Sequence, residues 1–101
     1  MNSHTNTTVP TAMPLNILLR RRREELHLLQ AEVAEALHVT PECIGRWEDG
    51  SRRMELSKVP RIAEVLRLNA KQLCAKALAE FHPLFYATLL GNGASAASTS
   101  H

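Results

Sequence analysis

The sequence predicts an all-α domain of five to six short helices. Three observations carry that expectation. First, apolar residues recur at helical spacing. Val33, Ala34 and Leu37 fall at i, i+1 and i+4 and share one face, and Ile44 and Trp47 repeat it a turn further on. Second, helix start and stop signals stand where the periods break. Thr40-Pro41 offers an N-cap followed by proline at the first helical position, and Gly50 suits the left-handed residue that ends a helix. Third, 101 residues with 45% apolar and 4% aromatic content fit one domain with a mostly aliphatic core.

Residues 1–14, rich in Asn, Ser and Thr with Pro10 and Pro14, read as a disordered arm. The arm has no Lys or Arg for reaching into a groove. A first helix is expected over Leu15–His27, with Leu15, Leu19 and Leu26 near one face and Leu18 beside them. Arg20 and Arg21 read as solvated residues with Glu24 and Glu25 as partners. A second helix covers Gln30–Leu37 and a third Pro41–Asp49, joined by about three residues, which is the arrangement of a helix-turn-helix. Gly50-Ser51-Arg52-Arg53 is a polar, basic loop. A fourth helix is expected over Ser57–Leu66, with Ser57 as N-cap and Pro60 in the first turn. Asn69 caps a fifth helix that carries Leu73, Ala77, Leu78 and Phe81 until Pro83 stops it. Pro83–Leu90 forms a short sixth helix, and residues 91–101 are a low-complexity tail expected to be disordered.

The net charge of +2 announces no nucleic-acid partner, but its distribution is uneven: all 22 Asp, Glu, Lys and Arg residues lie between Arg20 and Glu80. Cys43 and Cys74 have no ligand spacing and read as reduced thiols. The five His residues, at 4, 27, 38, 82 and 101, have no metal spacing either, so neither metal nor cofactor is expected. Met1–Pro14 has no basic start followed by an apolar run, so no signal peptide is expected, and no stretch is long enough for a membrane span. The sequence has no glycine-rich phosphate loop, no nucleophile elbow and no carboxylate pair expected to share a pocket, so an enzyme is not expected.

From about Leu15 to Leu73 the chain resembles the Cro/repressor-type (XRE-like) helix-turn-helix family. Gln30 stands at the start of the first motif helix and Ala34 four residues on, where helices touch. Val33, Leu37, Val39, Ile44 and Trp47 fill the family's apolar positions, and Glu48 and Gly50 close the motif. Two positions depart from the pattern. His38 replaces the usual turn glycine, and Gly45 lies within the recognition helix at a cost of about 1 kcal/mol against Ala. The resemblance implies a lambda repressor-like fold and a transcriptional regulator, a repressor that binds double-stranded operator DNA as a homodimer. It implies an ion pair between Arg23 and Glu48. It also implies a DNA-facing set of Gln30, Thr40, Pro41, Glu42, Gly45, Arg46, Arg52 and Arg53. Arg46 suits guanine O6 and N7, Glu42 suits cytosine N4, and Arg52 and Arg53 suit phosphates.

Past Leu73, residues 74–90 form an extension in which Phe81, Leu84, Phe85 and Leu89 either cap the core or pair with a second copy; pairing is favoured. Two alternatives stand beside this reading. One is an antitoxin or phage-type autoregulator with a protein partner. The other is a protein-bridging module that does not read DNA. The expected location is cytoplasmic, at the nucleoid of a bacterial or phage-encoded system.

Overall fold

The computed structural model describes residues 7–91. The expectations for residues 1–6 and 92–101 lie outside the described residues. Six α-helices follow one another: α1 (Leu15–Glu25), α2 (Gln30–Leu37), α3 (Pro41–Asp49), α4 (Val59–Leu66), α5 (Ala70–Phe81) and α6 (Pro83–Tyr86). A 3₁₀ turn, Leu56–Lys58, leads into α4, and a π-helical turn, Ala87–Gly91, follows α6. The all-α reading holds, and the described residues contain no strand beyond an isolated bridge between Thr7 and Leu68.

One aliphatic core is built from the inner faces of α1–α5. Ile44, Ile62, Leu66, Leu68, Leu73, Val33 and Val59 are its largest fully buried side chains. Trp47 is buried beside them, as a core residue and not a stacking platform. Local signals account for most helix ends. The Thr40 hydroxyl accepts from Cys43 N–H at 3.2 Å, and the Asn69 side chain accepts from Gln72 N–H at 2.9 Å. Glycine is favoured at position 50, where φ is +83° and a Cβ would meet Asn16 Nδ2 at 3.3 Å.

Three non-glycine residues, His27, His38 and Arg67, adopt φ near +60° just past the ends of α1, α2 and α4. Each sits where a helix closes on a left-handed residue, a conformation that costs about 1–2 kcal/mol for a residue with a Cβ. The first helix therefore ends at Glu25, two residues short of the expected His27, because the chain turns there: Leu28 N–H bonds back to Arg23 C=O at 3.0 Å. The fourth helix also starts later than expected. Ser57 lies inside the 3₁₀ turn and is not its cap.

The larger correction concerns the N-terminal arm. Residues 7–13 form a strap laid along α1 and α5. Thr7 N–H bonds to Arg67 C=O and Thr7 C=O accepts from Asn69 N–H, both at 2.9 Å. Val9 is 4% exposed and its N–H bonds to Gln72 Oε1 at 2.8 Å. Lys76 Nζ donates to Thr11 C=O at 3.2 Å and pairs with Glu80 at 3.2 Å. Glu80 in turn accepts from Leu15 N–H with both carboxylate oxygens, at 3.0 and 3.1 Å, and so caps α1 from the far end of α5.

Candidate nucleic-acid interface

The site begins at the turn between α2 and α3. His38, at φ +59°, closes α2, and Val39 N–H bonds to Ala34 C=O at 3.0 Å. Thr40 and Pro41 then start α3 at once, so the two helices are fixed to each other by backbone bonds on both sides of a three-residue link. Cys43, Ile44, Trp47 and Glu48 form the buried side of α3. Thr40, Pro41, Glu42, Arg46 and Asp49 are exposed on the other.

A carboxylate anchors that orientation. Glu48 accepts from Arg23 Nε at 2.7 Å and Arg23 Nη2 at 3.1 Å, a bidentate pair whose side chains are 5% and 12% exposed. Arg23 Nη1 also donates to Leu28 C=O at 2.8 Å. The Glu48 carboxylate holds the Arg23 guanidinium above its already high ordinary value, so the cation is permanent. Asn16 Nδ2 donates to Glu48 C=O at 3.3 Å and lies against Gly50. The end of α3 is thus tied to α1 by side-chain and backbone bonds together.

The expected DNA-facing residues do not all behave alike. Glu42 and Arg46 are exposed and, among the described residues, neither makes an ion pair; the i, i+4 pairing open to them is not made. Pro41 is exposed as expected. Thr40 is exposed, but its hydroxyl oxygen already serves as the α3 cap, leaving its proton to donate. Gln30 is half-buried: its Nε2 donates to Glu48 Oε1 at 3.1 Å, a third donor to that carboxylate beside the two from Arg23. Gly45 is half-buried, and a Cβ there would meet the Gln30 amide at 3.6 Å, so it faces Gln30.

Arg52 is exposed, with a long contact of 4.0 Å to Glu55, and its N–H bonds to Arg46 C=O at 3.1 Å. Arg53 is exposed and stands over the Phe81 ring, 5.1 Å from its centroid. Asp49 is held below the usual carboxylate range by Ser51, through its hydroxyl and its N–H at 2.7 Å, and this fixes the first turn of the loop. Burial pushes the Cys74 thiol up, so it stays protonated. The described residues include no group of three or more metal-ligating side chains.

Residues 15–73 match the model of a family described as a helix-turn-helix domain. The chain belongs to this helix-turn-helix family. The family is associated with XRE-like DNA-binding proteins, as the motif residues implied. No curated protein matches the chain. Among solved structures, the helix-turn-helix chain is similar to one described as the crystal structure of Co(II) HppE in complex with substrate, at 32% identity and a TM-score of 0.53. The likeness covers 63% of this chain and 36% of that one, so this chain spans well under two thirds of that neighbour's length.

Sequence reasoning did not find Asn16, Glu80 or Lys76. Asn16 carried no signal of its own. Glu80 and Lys76 show only an i, i+4 spacing, which does not reveal that the pair also reaches Leu15 and Thr11.

Proposed function

We propose that the chain is a sequence-specific transcriptional regulator that represses by occupying operator DNA as a homodimer. The single observation that carries the reading is Arg46: exposed and without an ion pair among the described residues, on a helix whose inner side is fixed by the Arg23–Glu48 pair. A guanidinium presented in this way can donate two bonds to guanine in the major groove. Glu42, one turn earlier on the same face, accepts from cytosine, and Arg52 and Arg53 neutralise phosphates beside the helix. DNA recognition, not catalysis, is the whole task in this reading.

Pairing rests on α6 and the turn after it. Leu84, Phe85 and Leu89 are 80%, 62% and 65% exposed, and Phe81–Gly91 carries no charged side chain. A second copy brought against this face meets no like charge and doubles the phosphate contacts on a two-fold site. Phe81 packs partly against the core, so the face proposed for pairing centres on Leu84, Phe85 and Leu89.

The test is binding to a random duplex at low salt across a range of salt concentrations, followed by selection from a random pool. The reading expects a steep salt slope and a selected motif with two-fold symmetry. Binding without salt dependence, and a pool that never enriches, would support a protein-bridging module in its place.

A further inference from the structure

Arg53 and Phe81 come from different elements, one from the loop after α3 and the other from the last residue of α5. Arg53 Cζ nevertheless lies 5.1 Å from the Phe81 ring centroid. Phe81 cannot easily follow the loop if it moves. It is partly buried against the core, Pro83 ends its helix two residues on, and its neighbour Glu80 is held by Leu15 N–H. The two side chains border a cleft of about 280 Å³ that also reaches Asn16 and Gly50, at the end of α3. Arg53 makes no ion pair among the described residues, whereas its neighbour Arg52 faces Glu55.

We propose that Phe81 is a positioning residue for DNA backbone contact, holding the Arg53 guanidinium in the place from which it meets a phosphate. The proposal rests on the DNA-binding reading above. The physics is one of order. A loop arginine loses much rotamer freedom when it is fixed on a phosphate. An aromatic face restrains the cation beforehand through the ring quadrupole and consumes none of its five N–H donors. A carboxylate in the same place would have restrained it too, but would have competed with the phosphate. Because Phe81 is also the residue that leads into α6, the contact links the loop on the DNA to the exposed face of Leu84, Phe85 and Leu89.

The experiment is a double-mutant cycle read by binding of the full chain to a random-sequence duplex at several salt concentrations. Phe81→Leu keeps an apolar side chain at the core edge and removes the ring; Phe81→Met serves if the leucine variant does not fold. Either is expected to weaken binding about two- to fivefold while leaving the salt slope unchanged, since the charge stays. Arg53→Ala is expected to lower the slope by about one phosphate. In the Arg53→Ala background, Phe81→Leu is expected to cost nothing further. With Arg53 in place, Phe81→Tyr, which retains the ring, is expected to bind like the wild-type chain. Equal penalties for Phe81→Leu in both backgrounds would make Phe81 merely structural and overturn the proposal. Tighter binding by Phe81→Leu would mean that the ring sequesters Arg53, and would overturn it as well. If the wild-type chain shows no salt-dependent duplex binding at all, the underlying reading falls together with it.

Discussion

Glu48 is the residue on which most of the interface depends. Its carboxylate gathers Arg23 and Gln30, and its carbonyl receives Asn16. Burying two charges is expensive, and the geometry offsets this with a bidentate pair and a third donor. Removing one partner strands the other. Glu48→Ala is therefore expected to destabilise the fold by about 3–5 kcal/mol, against about 0.3–0.5 kcal/mol for Glu24→Ala, whose pair with Arg20 is solvated. Thermal melting of the two variants side by side checks this, and equal small shifts would count against it. The Arg23–Glu48 pair was legible through the family pattern. The bond from Gln30 to Glu48 was not, because an amide at that position can serve a phosphate or a neighbouring carboxylate, and the sequence does not show which carboxylate lies within reach.

At the scale of elements, α3 is short and carries a glycine in its interior. Gly45 adopts no positive φ, and a Cβ would sit at ordinary contact distance, 3.6 Å, from a flexible amide. Gly45→Ala is thus expected to stabilise the protein by about 1 kcal/mol through helix propensity, read as a melting point roughly 4–8 °C higher. A lower melting point would show that Gln30 cannot yield. The ends marked by Thr40-Pro41, Gly50, Asn69 and Pro83 were readable because each signal acts within a turn of itself, whereas the end of α1 carried no such signal and Ser57 was a misleading one for the start of α4. The strap of residues 7–13 was not. Its anchors on Gln72 and Lys76 lie more than sixty residues away along the chain, and uncharged Thr and Pro look the same in a strap as in a loose end. Val9→Ala tests whether the strap is integral. Loss of two buried methyl groups should cost about 2 kcal/mol in denaturant unfolding, and no measurable loss would return the segment to the status of a loose arm.

For the molecule as a whole, the proposed function rests on two surfaces: the exposed side of α3 with its following loop, and the exposed apolar face of α6. The first was legible because the motif fixes which side of α3 is buried. The second was legible only as an apolar run, since periodicity does not say whether such a run returns to the core, as Phe81 does, or leaves it, as Leu84 does. Phe85→Asp places a charge in the proposed two-fold contact. Sedimentation at micromolar concentration should show a dimer for the wild-type chain and a monomer for the variant, whereas a monomeric wild-type chain that still binds its site would remove the homodimer. The central claim, that α3 reads base edges, is tested most directly by comparing the sequences selected from a random pool by the wild-type chain and by Arg46→Ala. The account predicts that the variant loses its preference at one base position in each half-site, at a cost of about 1–3 kcal/mol, and keeps the rest of the motif. An unchanged motif and unchanged affinity in the Arg46→Ala variant would contradict it.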